Sequence, residues 1–372
     1  MLISPLHLSY SVRHGDGGIA FAVDDLVASQ QSRGLYARWL SADRYPPWHR
    51  DRRFAEAVIQ SGASILHCHG LWRTQTRAAS RYMSERLPLL VAPHGMMDDW
   101  AMAHSSWKKE LVWRLWEGNA LKSAVCLHAL CIAEARSIRQ RLPNVPIAVI
   151  PNGVSPPPQQ IHPRQLVPWF KDIPAGEKIM LFLGRFHQKK GLEPLMTAWQ
   201  SVIDDARMSG WWLVCVGFGD EGKFESQLRS FPVERCRAYG PVFGEKKAAT
   251  FQHASAFILP SYSEGLPMAA LEAMSHGLPC LLSSACNLPE AFSAGAARPA
   301  EPETARLIQS LRLFFADGDP ARKIMGAKGR QLTAERFHWD HIAHMTHDVY
   351  RWVLGDGPKP PCVQTSGGHQ SW

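Results

Sequence analysis

Glu264 and Glu272 lie eight positions apart, and they are the acidic pair whose spacing most directly suggests chemistry. The apolar run Phe257-Ile-Leu ends at Pro260, and a polar loop then carries Glu264 and Gly265. Pro267 follows where a first helical residue is expected, and Gly277 stops the helix. A loop that opens a helix leaves backbone N–H groups unpaired at the positive end of the helix dipole, where a phosphate can be held. Glu264 precedes that helix and Glu272 falls about a turn and a half inside it, so both carboxylates can face one ligand. Carboxylates accept hydrogen bonds from sugar hydroxyls, which suits the ribose and hexose of a sugar nucleotide. The same spacing also fits an ordinary strand, loop and helix with solvated glutamates.

Two more loops could bind an anion. After the strand-like run ending at Leu183 come Gly184, Arg185, Lys190 and Gly191, with a helix starting near Leu192. The two cations are close enough in a loop to grip one diphosphate from two directions, stabilising the charge that develops as it departs. A pair of surface cations is the plainer reading. In the first half Gly17 and Gly18 precede a helix at 19–31 and would let backbone approach a phosphate. His94, in Val91-Ala-Pro-His-Gly-Met, falls just past a strand, where open α/β sheets present ligands. Lone loop histidines are usually polar filling. Residues 151–154, Pro-Asn-Gly-Val, read as a turn.

Three patterns are set aside. Gly217-Phe-Gly-Asp-Glu-Gly222 has the dinucleotide spacing but sits mid-domain, and Glu234, at the required offset, lies close to Pro232. Asp317-Gly-Asp319 has a metal-binding form, yet between two helices Asp-Gly is ordinary turn chemistry, and no metal is expected there. His67 and His69 share a strand face while Cys68 points away, and one chelating pair without further ligands is too few for zinc.

To position these loops the chain alternates apolar β-rich runs with amphipathic helical ones, the pattern of a parallel sheet covered by helices. Strands are expected at 64–69, 89–93, 124–127 and 147–150, then at 178–183, 211–216, 256–259, 279–282 and near Ala238, with a short opening strand within 1–8. Helices are expected at 74–85, 106–120, 304–315, from Pro320 and at 335–354. Residues 155–174 hold six prolines and read as a linker. The division expected is 1–160, 161–340, a helix 341–354 returning to the first domain, and a mobile tail 355–372.

Length and composition agree. The 372 residues suit two domains, and 45% hydrophobic with 20% charged residues excludes a disordered or fibrous chain. No apolar run approaches the ~20 residues that span a bilayer. The opening residues lack a signal-peptide pattern, which points to the cytoplasm. The eight cysteines form no C-x-x-C and read as reduced thiols. A formal charge of +8 suggests an anionic partner, but no nucleic-acid module or long basic run is present. Tryptophans 107, 113 and 116 with Lys108, Lys109 and Arg114 on one helix suit an anionic membrane surface; a core-facing helix is the alternative.

In this order the motifs resemble glycosyltransferase family 4, over residues 15–350. They are Glu264 and Glu272, the G-R-x4-K-G of Gly184 to Gly191, the P-H-G around His94, and Pro-Asn-Gly-Val. The resemblance implies an α/β GT-B fold, two facing Rossmann-like domains with a cleft between them and a C-terminal helix crossing back to the first. It implies a retaining, metal-independent transfer from a nucleotide-diphosphate sugar to a glycan or lipid-linked glycan, without a cofactor. By position, Arg185 and Lys190 hold the diphosphate beside Gly184, and Glu272 holds the ribose. Glu264, with backbone at Gly265, Leu266, Pro267 and Met268, takes the sugar, His94 contacts the transferred sugar, and Gly17 and Gly18 approach the diphosphate. One departure stands out: Cys286-Asn287-Leu288-Pro289 replaces the glycine pair that often follows the second glutamate's helix. The phrases Glu-Gly-Leu-Pro-Met and Pro-His-Gly-Met resemble bacterial members that build exopolysaccharide or lipopolysaccharide. A sugar-nucleotide epimerase of the same architecture is the rival reading.

Overall fold

The computed structural model describes residues 3–12, 18–83, 87–98, 102, 106–208, 210–219 and 233–365. The chain forms two compact units, Met1–Gly153 with Trp339–Trp372, and Val154–His338.

The first unit holds β1 (Pro5–Ser9), β2 (Arg38–Ser41), β3 (Ile65–His69), β4 (Leu89–Ala92), β5 (Cys126–Ala129), β6 (Ile147–Val149) and, from the C-terminus, β13 (Val363–Gln364). They order as β13-β6-β5-β4-β3-β1-β2, parallel throughout except for antiparallel β13. Every residue of β1, β3, β4 and β5 is buried, as a sheet covered on both faces requires. The helix expected at 106–120 is interrupted. Ser106–Val112 passes through a wide π turn, Trp113–Glu117, into Gly118–Lys122. A Cβ on Gly118 would lie 2.9 Å from the Trp113 carbonyl oxygen, so glycine permits that turn.

The second unit holds β7 (Lys178–Leu183), β8 (Trp211–Val216), β9 (Cys236–Tyr239), β10 (Ala256–Leu259), β11 (Cys280–Leu282) and β12 (Ala297–Pro299), all parallel, ordered β12-β11-β10-β7-β8-β9. Both units are Rossmann-like α/β layers, the fold class expected.

Four expectations need correction. The units divide at 153/154 and 338/339, not at 160/161 and 340/341. The helix expected at 335–354 starts later, at Trp339, because the helix expected from Pro320 spans Asp319–Arg336 and stops before Phe337. The break is held by an isolated parallel bridge from Val154 to His338. The proline-rich stretch 155–174 is not a free linker, because Val167, Trp169 and Ile173 are buried in the second unit and Gln252 donates to the carbonyls of Pro158 and Gln160. The tail is not mobile as far as residue 365. Val363 is buried and β13 pairs with the open edge of β6, while the Val149 N–H donates to the Cys362 carbonyl. Residues 366–372 lie outside the described ones.

The Pro-Asn-Gly-Val turn is structural: a Cβ on Gly153 would stand 2.4 Å from the Trp339 ring. All eight cysteines are free thiols. Among the described residues no helix is long and apolar enough to cross a membrane.

Candidate functional site

In the second unit the loops after β7, β10 and β11 converge. Lys190 Nζ lies 2.5 Å from Glu264 Oε1, both side chains largely buried, and the Ser261 hydroxyl donates to the same oxygen at 2.6 Å. Glu264 Oε2 makes no hydrogen bond among the described residues. The convergence depends on Gly191, whose φ of +67° and absent Cβ let its backbone press on the Pro260 carbonyl, 1.9 Å from where a Cβ would stand. Across the same loop the Lys189 carbonyl accepts from the Tyr262 N–H. Gly184 stands beside the Lys190 stem, but a Cβ there would meet nothing nearer than 3.8 Å. Arg185 is exposed and has no ion pair among the described residues.

Pro267 caps the helix Met268–Ser275 in extended conformation, so the helix begins one residue later than expected. Glu272 pairs with Lys247 at 2.6 Å through Oε1, while its Oε2 is buried without a partner. The structure therefore groups Lys190 with Glu264, and gives Glu272 a different cation. Gly265, Leu266 and Met268 line the loop and helix start, Leu266 buried.

Two residues that the motifs do not include hold this region. Lys247 lies 25 positions before Glu272 and carries no local signal. Asn287, at φ +56°, donates from Nδ2 to the Glu264 and Gly265 carbonyls at 2.6 and 3.2 Å. Its place in the atypical 286–289 loop was the available clue, since asparagine tolerates the left-handed region. The set-aside patterns have structural roles. Asp317 pairs with Arg298, and Asp319 with Arg322 and Lys178. A Cβ on Gly217 would stand 1.8 Å from the Gly184 carbonyl oxygen; 220–222 of that pattern lie outside the described residues.

In the first unit His94 follows β4 at φ +55°. Buried Glu134, which no motif includes, pins its loop by accepting from the Gly95 N–H at 2.6 Å and the Leu130 N–H at 2.7 Å. Gly18 opens the helix Gly18–Ser32, and a Cβ there would meet nothing within 4 Å among the described residues; Gly17 lies outside them. His94 Nε2 is 2.9 Å from His69 Nδ1, and behind it stand His7, His67 and His128. Nitrogens of His7, His67 and His69 lie within 4.8 Å of one another, a third histidine that sequence spacing did not reveal. All three already hydrogen-bond to protein groups. Burial lowers the pKa of His7 and His128 to about 4 and of His94 to about 3, and holds His67 and His69 well below the ordinary value. Burial raises Glu117 and Glu134 to about 7, against the pull of the Thr76 hydroxyl on Glu117 and of the N–H groups that bond both.

The described parts of both units match known families. Residues 177–315 match the model for glycosyl transferases group 1, and 24–153 match the glycosyl transferase 4-like domain. An alpha-maltose-1-phosphate synthase of Mycobacterium tuberculosis is 24% identical over 80% of this chain and 81% of its own length. Its Mycolicibacterium smegmatis counterpart is 27% identical over 56% of this chain, and the match spans only 57% of that relative. Among solved structures, sucrose-phosphate synthase from Thermosynechococcus elongatus superposes with TM-score 0.75 at 19% identity, covering 95% of this chain and 99% of that one. WaaG, a glycosyltransferase involved in lipopolysaccharide biosynthesis, gives 0.69 at 15%, covering 93% and 99%.

Two outcomes follow. Gly191→Ala should cost about 2–4 kcal/mol through left-handed strain and the clash with Pro260. Gly184→Ala should stay within about 0.5 kcal/mol. Chemical denaturation of the two variants checks the pair. Second, the five histidines remain unprotonated in the folded state well below 6.5, so unfolding takes up protons as pH falls from 6.5 toward 4 and their stabilisation is lost. The two glutamates oppose this between about 7 and 4.5, because the folded state holds their protons. Five groups outweigh two, so calorimetry at pH 7 and pH 5 should show a lower Tm at pH 5. An equal or higher Tm would contradict neutral, buried histidines.

Proposed function

The chain belongs to glycosyltransferase family 4, and from that premise we propose a retaining, metal-independent enzyme that moves a sugar from a nucleotide-diphosphate sugar to a glycan or lipid-linked glycan in surface polysaccharide biosynthesis. The observation that carries this reading is the pair of incompletely satisfied carboxylates in the second unit. Glu272 Oε2 is buried and unpartnered, a costly state that a ribose hydroxyl donor relieves. Glu264 keeps Oε2 for a hydroxyl of the donor sugar while Oε1 is held by Lys190 and Ser261.

In this reading the diphosphate leaves as the bond from the anomeric carbon to its oxygen breaks, and the acceptor oxygen bonds to that carbon on the same face. The hydroxyl proton passes to the departing phosphate. Lys190 and exposed Arg185 stabilise the charge that grows there, the role a metal serves in other transferases. Gly184 and the backbone from Gly265 through Leu266 and Pro267 to Met268 frame the donor. Gly17 and Gly18 serve the diphosphate, and His94 the transferred sugar.

The exposed stripe Trp107, Leu111 and Leu115, four residues apart beside exposed Lys108 and Arg114, supports peripheral contact with an anionic membrane at the cytoplasmic face. Trp113 instead packs on the core and Trp116 lies under Arg77.

Transfer assays with UDP-, GDP- and ADP-sugars test the activity. Arg185→Ala or Lys190→Ala should lower kcat/KM by about 10²–10³, with folding little changed in Arg185→Ala but weakened in Lys190→Ala, which strands the buried Glu264 carboxylate, and activity should persist in EDTA. Wild-type rates in both variants, or loss in EDTA restored by Mn²⁺, would defeat the assignment; conversion of the free sugar nucleotide without acceptor would favour the epimerase. For the membrane, co-sedimentation with vesicles should rise with anionic lipid, fall with salt and weaken in Lys108→Glu/Leu111→Ser. Equal recovery in the supernatant with neutral and anionic vesicles at low salt would leave a soluble acceptor.

A further inference from the structure

Seven side chains in the first unit form one continuous hydrogen-bonded chain. His128 Nε2 is 2.7 Å from the Ile150 carbonyl oxygen, and His128 Nδ1 is 3.1 Å from His67 Nε2. His67 Nδ1 is 2.8 Å from the Tyr350 hydroxyl, which the Gln30 amide nitrogen reaches at 3.5 Å. Gln30 Oε1 is 2.8 Å from His7 Nε2, His7 Nδ1 is 2.9 Å from His69 Nε2, and His69 Nδ1 is 2.9 Å from His94 Nε2.

The end at Ile150 sets the direction of every bond. A carbonyl only accepts, so His128 donates from Nε2, and a neutral imidazole then has an acceptor at Nδ1. His67 must therefore donate from Nε2, which leaves its Nδ1 to accept the Tyr350 proton. With that proton committed, the Tyr350 oxygen accepts from the Gln30 amide. A flipped amide would instead set its oxygen against a hydroxyl with no proton to give. Gln30 Oε1 then accepts from His7 Nε2–H, His7 Nδ1 from His69 Nε2–H, and His69 Nδ1 from His94 Nε2–H. No ring nitrogen in the chain is asked to donate twice, and among the described residues only His94 Nδ1 is left without a partner.

We infer that this buried chain holds His94 as the neutral Nε2–H tautomer and presents its Nδ1 as a hydrogen-bond acceptor. His7, His67, His69, Gln30 and Tyr350 are thus positioning residues, and His94 selects a ligand group that donates, such as a hydroxyl, over a carbonyl or phosphate oxygen that only accepts. His94 is partly open to solvent, and its Nδ1 has no partner among the described residues. The neutral state of the rings agrees with the burial of His7, His67, His69 and His128. The identity of the hydroxyl as a sugar's rests on the function proposed above; the tautomer does not.

The test is long-range ¹H–¹⁵N correlation spectroscopy on the full chain labelled with ¹⁵N-histidine at neutral pH, with the His94 signals assigned by their loss in His94→Asn. The expected spectrum has one neutral form of His94, protonated at Nε2 and bare at Nδ1. Tyr350→Phe removes one hydroxyl and frees the Gln30 amide to turn, so His94 should then populate both tautomers while the remaining spectrum stays folded. Protonation at Nδ1, an imidazolium, or a tautomer mixture in the wild type would overturn the inference, as would an unchanged single tautomer in a folded Tyr350→Phe. Stoichiometric zinc found by elemental analysis, with metal-shifted His7, His67 and His69 signals, would replace it with a metal site. Separately, a panel of deoxy donors should include one that loses about ten-fold in kcat/KM in the wild type and nothing further in His94→Ala. Should no donor behave so while the spectrum is as expected, the sugar assignment of His94 fails and the tautomer stands.

Discussion

A parallel sheet covered on both faces leaves its strands no water, and that constraint places the chemistry of this chain. Strand residues must be apolar or fully partnered, so reactive side chains gather just past the strand ends. His94 follows β4, Arg185 and Lys190 follow β7, Glu264 follows β10 and Asn287 follows β11. Where polar side chains do enter the sheet, at His7, His67, His69 and His128, the same rule makes them bond in pairs, His7 with His69 and His67 with His128, which Gln30 and Tyr350 join into one sequence. One imidazole with a free nitrogen would break it.

Bringing loops from neighbouring strands together demands close backbone approach, and glycine supplies it at a few defined contacts. Gly191 against Pro260 sets Lys190 beside Glu264, and Gly217 against Gly184 joins the ends of β7 and β8. The second contact accounts for a glycine that a dinucleotide fingerprint would otherwise claim. Pattern alone could not separate those uses, because both require an absent Cβ next to another atom; only the identity of that atom differs.

Legibility followed the same physics. The strands Lys178–Leu183, Trp211–Val216 and Ala256–Leu259 have the bounds their sequence suggests, since each is an almost wholly apolar run, buried at most of its positions, between turn residues. The edge strands Arg38–Ser41, Ala297–Pro299 and Val363–Gln364 were not readable, being short and mixed in polarity. In the candidate site, Glu264 and Lys190 stood out through local spacing. Lys247, Asn287 and Glu134 did not, for the contacts that tie them to the site, with Glu272, Gly265 and Gly95, span 22 to 39 positions of the chain. The histidine chain was hidden for the same reason: His7 and His69 are 62 positions apart, and His67 and Tyr350 are 283.

The charge arrangement of the second unit bears on how the proposed transfer would divide its work. Lys190 is neutralised locally by Glu264 in a largely buried pair, and Glu272 by Lys247 in a half-buried one, so neither pair carries net charge. Buried pairs gain little stability over apolar packing because desolvation offsets attraction, which leaves geometry as their main contribution. Exposed Arg185 is then the uncompensated cation of its motif. In the proposed reading Arg185 draws the diphosphate in from solvent, an attraction that salt screens. In the same reading Lys190, largely shielded from solvent, would act at short range where screening is weak. Two cations five positions apart would in this way serve successive steps, capture and departure.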